Sequence, residues 1–162
     1  MLEPTLVEHL ESDGTLILGT VDAAGLPEAT YAWALEVLDP GSDAAPPRVR
    51  FLLSEAAIRT RANLEATGRL AATVTDVATL VSAQLKGSLV GITPPTPADE
   101  RRLPRRFDAV AHTIHVEDGT PLAVLERFRP GPVVAVTMTV EEVYDQTPGP
   151  VAGCRLAPPE AP

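Results

Sequence analysis

Apolar residues along this chain recur at two spacings, and the switches between them mark out its elements. In residues 4–12, Leu6, Val7 and Leu10 form the single stripe of a short amphipathic helix, with Pro4 suited to the first turn and His9 on its surface. From Thr15 the period shortens. TLILGTVD reads as a strand, the turn formers Ala-Ala-Gly-Leu-Pro occupy 23–27, and EATYAWALEV returns as the second arm of a hairpin. DPGSDAAPP is a loop by composition, and RVRFLLS beyond it is a third extended run.

The next segment, SEAAIRTRANLEATG, changes back to helical spacing, with Ser54 as the expected N-cap and Gly68 as the terminator. Residues 70–75 form a β-rich run, and VSAQLKGSLVGI follows a turn at 76–79. Alternation in that strand puts Val81, Ala83, Leu85 and Leu89 on one face and Ser82, Gln84, Lys86 and Ser88 on the other. Thr96-Pro97-Ala98-Asp99 carries the cap, first-turn proline and acid of a helix start. Pro104 inside RRLPRR is expected to bend or end that helix, so the four arginines need not share a stripe. Thr120-Pro121 opens another helix through LAVLERF. PVVAVTMTVEEVYD is the last strand, alternating through Val134, Val136, Met138 and Val140. The tail from Gln146 is rich in Pro, Gly and Ala and is expected to be loosely ordered. The chain is thus read as one domain, 1–145, followed by a tail, 146–162. Successive strands with short helices and no regular βαβ alternation predict a mainly β fold, an antiparallel barrel with peripheral helices.

Composition narrows the ligands. A length of 162 residues suffices for one domain with its own core. Thirteen basic against twenty-two acidic residues give a net charge of -9, which repels nucleic acid at long range, and one Trp with two Tyr supply no stacking platform for bases. Any anionic ligand must therefore be held by a local cluster of donors. The single cysteine, Cys154, has no partner for a disulfide or a thiolate metal site. With no basic-then-apolar leader at the N-terminus and no apolar run of spanning length, the expectation is a soluble cytoplasmic protein.

Familiar catalytic signatures are missing: there is no GxSxG, GxxxxGK[ST] or HExxH. His112 and His115 in HTIH could form a metal pair on a helix but would diverge on a strand, and they lack neighbouring ligands, so no metal is expected. Glu141 and Glu142 are adjacent in a strand and diverge likewise. What remains is a set of donors at Arg59, Thr60 and Arg61, on the helix after the third strand, together with the polar strand face around Gln84. Such donors imply an anion without naming it.

Three stretches then carry a resemblance: LGTVDAAGLPEATYAWALEV, VRFLLSEAAIRTRANLEATGRLAATVTD and SAQLKG, in that order and spacing. Together they resemble the pyridoxamine 5'-phosphate oxidase superfamily, the FMN-binding split barrels, over residues 16–91. The resemblance implies a homodimer with flavin at the subunit interface. It maps Thr30, Tyr31, Ala32 and Trp33 to the strand that passes along the flavin, and Leu52 and Leu53 to the end of the next strand. It maps Arg59, Thr60 and Arg61 to the grip on the FMN phosphate and Gln84 to a cofactor contact. Arg59, assisted by Arg61, would then be the phosphate anchor, since a guanidinium makes paired charge-assisted bonds to phosphate oxygens.

The departures are specific. Thr60 stands where the family has lysine, Ile58 replaces a hydroxyl residue, and Thr30 and Leu35 occupy basic positions of the oxidases' first flavin strand. Losing one charge-assisted bond costs about 1.5–3 kcal/mol, roughly one to two decades of affinity, unless Arg61 compensates. VYDQTPGPVAGCRL also does not match the oxidases' C-terminal substrate segment, so pyridoxamine 5'-phosphate oxidase activity itself is not expected. The expected function is an FMN-dependent oxidoreductase with no assigned catalytic side chain. The alternatives are a deazaflavin in place of FMN, or a haem-binding or non-catalytic split barrel.

Overall fold

The computed structural model describes residues 1–156. Its elements in order are α1 (Pro4–Leu10), β1 (Thr15–Val21), β2 (Pro27–Asp39), β3 (Arg48–Ser54), α2 (Ile58–Thr67), β4 (Arg69–Thr75), β5 (Ser82–Thr93), α3 (Pro97–Asp118), α4 (Leu122–Leu125) with a following 3-10 turn (Glu126–Phe128), and β6 (Val133–Asp145). The six strands close a barrel in the order β1-β2-β3-β6-β5-β4, and every pairing is antiparallel. The expected architecture is the one observed.

Alternation decides the core. Leu16 and Leu18 of β1, Phe51 and Leu53 of β3, Val74 of β4, Leu85 of β5 and Met138 of β6 all point inward and are buried. Removing such side chains from water stabilises the fold by about 1.5–3 kcal/mol each. Helix α1 sends Leu10 into this core, and α2 sends Leu64. Asn63 of α2 donates to the buried Thr20 hydroxyl of β1 at 3.1 Å, and the Thr67 hydroxyl donates to the Val21 carbonyl at 3.1 Å, fixing α2 across the C-terminal end of β1. Helix α3 lies on the outside, where Leu103 packs over Leu52, Ala34, Val133 and Ala135.

Four register shifts interrupt the ladders, two between β2 and β3 and two between β5 and β6. In β2 an extra residue enters between Trp33, opposite Leu52, and Glu36, opposite Arg50. Ala34 takes φ 52 at this bulge, and both it and Leu35 are buried. In β5 the register shifts at Lys86/Gly87, and the chain approaches β6 so closely that a Cβ at Gly87 would lie 1.9 Å from the Thr139 carbonyl oxygen.

Several local expectations are corrected. Ser54 is not the N-cap of α2: it ends β3 and turns the chain, its carbonyl accepting from the Ala57 amide at 3.0 Å, and Ala57 caps the helix without a side-chain bond. Gly68 terminates α2 as expected, at φ 63. Pro104 does not end α3; the helix runs on to Asp118. Pro104 and Glu100 are both exposed, which places the Glu100 carbonyl deprived of its amide partner on the solvent side of α3, where water can serve it. Where described, the tail pairs with β6. Gly153 donates to the Asp145 carbonyl at 2.7 Å and Leu156 to the Val143 carbonyl at 2.8 Å, laying the chain back along β6. Residues 157–162 of the expected tail lie outside the described residues. No helix among the described residues is long and apolar enough to cross a membrane.

Candidate cofactor site

Strand pairing carries the polar face of β5 across the barrel wall. Gln84 is opposite Thr73, Thr73 is opposite Ile17, and Ile17 is opposite Tyr31. These four residues form one row on the outer surface. The adjacent row is Ala29, Gly19, Ala71 and Lys86, and its first three, small members leave a shallow floor. Over it lies an open groove of about 540 Å³ lined by Gly19, Pro27, Glu28, Ala29, Arg69 and Lys86 among others.

Polar groups around this face are partly engaged with each other. Gln84 Nε2 donates to the Thr73 hydroxyl at 2.9 Å. The Lys86 ammonium sits 4.2 Å from the centre of the Tyr144 ring, and the Tyr144 hydroxyl donates to Glu142 at 2.6 Å. That bond raises the Tyr144 pKa and lowers that of Glu142, because it favours the protonated phenol and the ionised carboxylate together. Arg69 pairs with Glu141 at 3.2 Å, with both side chains largely in solvent.

The candidate anion donors lie at the start of α2. The Arg59 side chain is 75% exposed, and its guanidinium is 3.5 Å from the carboxylate of Glu28, which itself lines the groove. A pair this exposed holds weakly and exchanges readily. Arg61 reaches the Glu55 carbonyl through Nη1 at 3.4 Å, while its Nε is buried without a hydrogen-bond partner among the described residues. An unpaired buried donor is costly, so the position suits an added acceptor. Thr60 is different: it is 1% exposed, packed into the protein, and only its backbone could serve a ligand.

The residues singled out from the sequence thus divide by face. Tyr31 and Gln84 share the outer row, with Trp33 two residues along β2, and Arg59 reaches the groove through Glu28. Ala32 and Leu53 are paired and point into the core, and Thr30, opposite Leu18, faces the same way. Leu52 is fully buried on the outside beneath α3. Sequence reasoning did not single out Glu28, Arg69 or the small residues Gly19 and Ala71. Lys86 was visible as a member of the polar face, but the floor exists only through register across three strands. His112 and His115 both lie on α3, and no group of three or more potential metal ligands is found among the described residues.

No family model matches the sequence, and no curated protein matches it. Solved structures do match the fold. A Lactobacillus delbrueckii protein assigned provisionally as a pyridoxamine 5'-phosphate oxidase is similar at TM-score 0.53 and 17% identity, over 88% of this chain and 93% of that one. An FMN-binding protein from Syntrophomonas wolfei matches at TM-score 0.52 and 15% identity, over 87% of this chain and 86% of that one. The fold is the pyridoxamine 5'-phosphate oxidase-like split barrel. An F420 reductase with this split barrel matches at TM-score 0.52 and 18% identity, over 84% of this chain and 93% of its own. At these identities the split-barrel likeness speaks for architecture, and function has to be argued from the groove.

Proposed function

We propose that this chain is a flavin-binding split-barrel oxidoreductase that holds FMN against the outer face of β2, β1, β4 and β5, at the interface of a homodimer. The observation that carries the reading is the pair of guanidinium groups at the start of α2: Arg59 exposed at the groove edge and Arg61 with a buried, partnerless Nε. These groups fit a phosphate monoester, which offers acceptors in several directions. The shallow floor at Gly19, Ala29 and Ala71 fits a flat ring, with Tyr31 and Gln84 along one side of it. When bound, FMN supplies hydride acceptance and donation at its ring. The chain's part is to anchor the phosphate, present the Gln84 amide toward the ring edge and exclude water by apposing a second copy over the floor. The FMN-binding and F420 reductase neighbours support flavin-type cofactors on this fold, and a deazaflavin would meet the same anion donors.

A split barrel holding haem or no catalytic cofactor is the second reading, and the burial of Thr60 favours it. Where the family pattern places a lysine, this chain turns a threonine into its interior, so the anion site has one cation fewer.

Titrating FMN against the native protein and Arg59→Ala tests the assignment. Quenching of flavin fluorescence should saturate for the native chain and weaken by about tenfold or more in the variant, the loss of one charge-assisted hydrogen bond. Equal affinity in the two proteins rejects the phosphate anchor.

A further inference from the structure

A second concavity lies beyond the groove, where α3 and α4 pack against the outside of β1 and β2. It has a volume of about 90 Å³, and its walls are aromatic and aliphatic: Tyr31 and Trp33 from β2, Phe107, Val110 and Ile114 from α3, and Phe128 from the turn after α4. The rings are placed with respect to one another. Trp33 is tilted against Phe107 at 5.4 Å, Tyr31 stacks on Trp33 at 6.1 Å, and Phe128 meets Tyr31 edge-on at 6.0 Å.

We propose that this pocket binds one uncharged six-membered ring, aromatic or cycloaliphatic, of a small organic ligand. Among the described residues, none with a charged side chain lines it. Arg129 lies against Phe107 with its guanidinium 4.2 Å from the ring centre, and it is already paired with Asp108 at 2.6 Å and Glu126 at 2.9 Å. Its pKa is raised by those two carboxylates, so it stays charged and committed to them. Thr15 is the only aliphatic hydroxyl in the wall, and it donates to the Thr75 carbonyl at 3.4 Å. A charged or strongly hydrated ligand would lose its water there without gaining a partner. At about 90 Å³ the pocket is smaller than the apolar cavities on the order of 150 Å³ that accept benzene, so one ring is the most it admits.

The mouth is formed by Tyr31 and Phe128, 49% and 52% exposed, so the remainder of a larger ligand can extend into solvent. Tyr31 also belongs to the row containing Gln84, which puts the pocket beside the proposed flavin face. Binding of the ring stands independently of that proposal, since none of the pocket's features requires a cofactor.

The only tryptophan of the chain is Trp33, so intrinsic fluorescence reports on the pocket directly. Toluene, benzoate and benzylamine are titrated separately into the cofactor-free full chain. Toluene is expected to give a saturable change in Trp33 emission, with benzoate and benzylamine at least tenfold weaker. Phe128→Ala, at a half-exposed position whose loss leaves the core intact, is expected to weaken toluene at least fivefold with an unchanged circular dichroism spectrum. Ala111→Leu, which fills the pocket from α3, is expected to abolish the response. An unsaturable toluene response, equal affinity for the charged analogues, or native affinity in folded Phe128→Ala overturns the proposal. None of these outcomes depends on whether FMN binds.

Discussion

The guanidinium of Arg50, in β3, meets the carboxylate of Asp99, in the first turn of α3, at 2.7 Å, with the Asp99 side chain only 2% exposed. Asp99 also accepts from the Thr96 backbone amide and hydroxyl, both at 2.8 Å, and from Arg102 at 2.8 Å. Arg102 in turn pairs with Glu36 of β2 at 2.7 Å. A capping box is thereby joined to an ion-pair network that clamps α3 onto the barrel.

Asp99→Asn should cost about 3 kcal/mol, because it leaves the largely buried Arg50 without its charge partner. Urea denaturation of the variant and the native chain measures the difference. The pH dependence follows from the same carboxylate. Burial alone would push its pKa up, but the bonds from Arg50 and Thr96 outweigh burial and hold it at about 2, below the usual carboxylate value. The contribution is thus present above about pH 4, the unfolded value, and is lost as pH falls toward 2, amounting to about 2 kcal/mol. Native protein should lose stability over that interval more steeply than Asp99→Asn.

Gly87→Ala should be among the most damaging single-methyl additions in the chain. The new Cβ would meet the backbone carbonyl of Thr139 rather than a side chain that could swing away. Separating β5 from β6 at the bulge costs about 3 kcal/mol. Gly68→Ala offers a contrast: its Cβ meets nothing within 4 Å, so its cost comes from φ 63 alone and should be about 1 kcal/mol. Thermal denaturation of the pair separates the two causes.

Thr60→Lys restores the lysine of the oxidase pattern, and on sequence grounds alone it should improve the anion site. The structure predicts the opposite. Thr60 is 1% exposed, so an ammonium there is either desolvated or forces α2 away from the barrel. The variant should melt below the native chain and bind FMN no more tightly. Calorimetry and flavin titration together check both parts.

How far the sequence reached is clearest at particular residues. Met138 and Val140 could be placed by period alone, because one face of β6 is buried from Val136 to Val140 and alternation must follow it there. The cap at Thr96 and the stop at Gly68 were legible for the same local reason: their chemistry acts within one helical turn. That α3 continues past Pro104 was not legible, because the cost of a missing helical bond depends on whether the orphaned carbonyl faces water, and that is set by how α3 sits on the sheet. The aromatic pocket was invisible, since Trp33, Phe107 and Phe128 come from three separated elements and none is unusual in its own neighbourhood. The candidate site is an intermediate case. Arg59, Arg61 and Gln84 stood out as polar residues on patterned elements, but the inward turn of Thr60 and the small-residue floor depend on helix docking and strand register.

The most direct test of the central claim is the visible absorption spectrum of the purified chain, recorded alone and with stoichiometric FMN, followed by gel filtration to remove free flavin. Flavin bands should remain with the protein, be bleached by a reductant, and be carried at one FMN per chain in a dimer-sized peak. Protein that emerges colourless, or with a Soret band and no flavin, contradicts that claim.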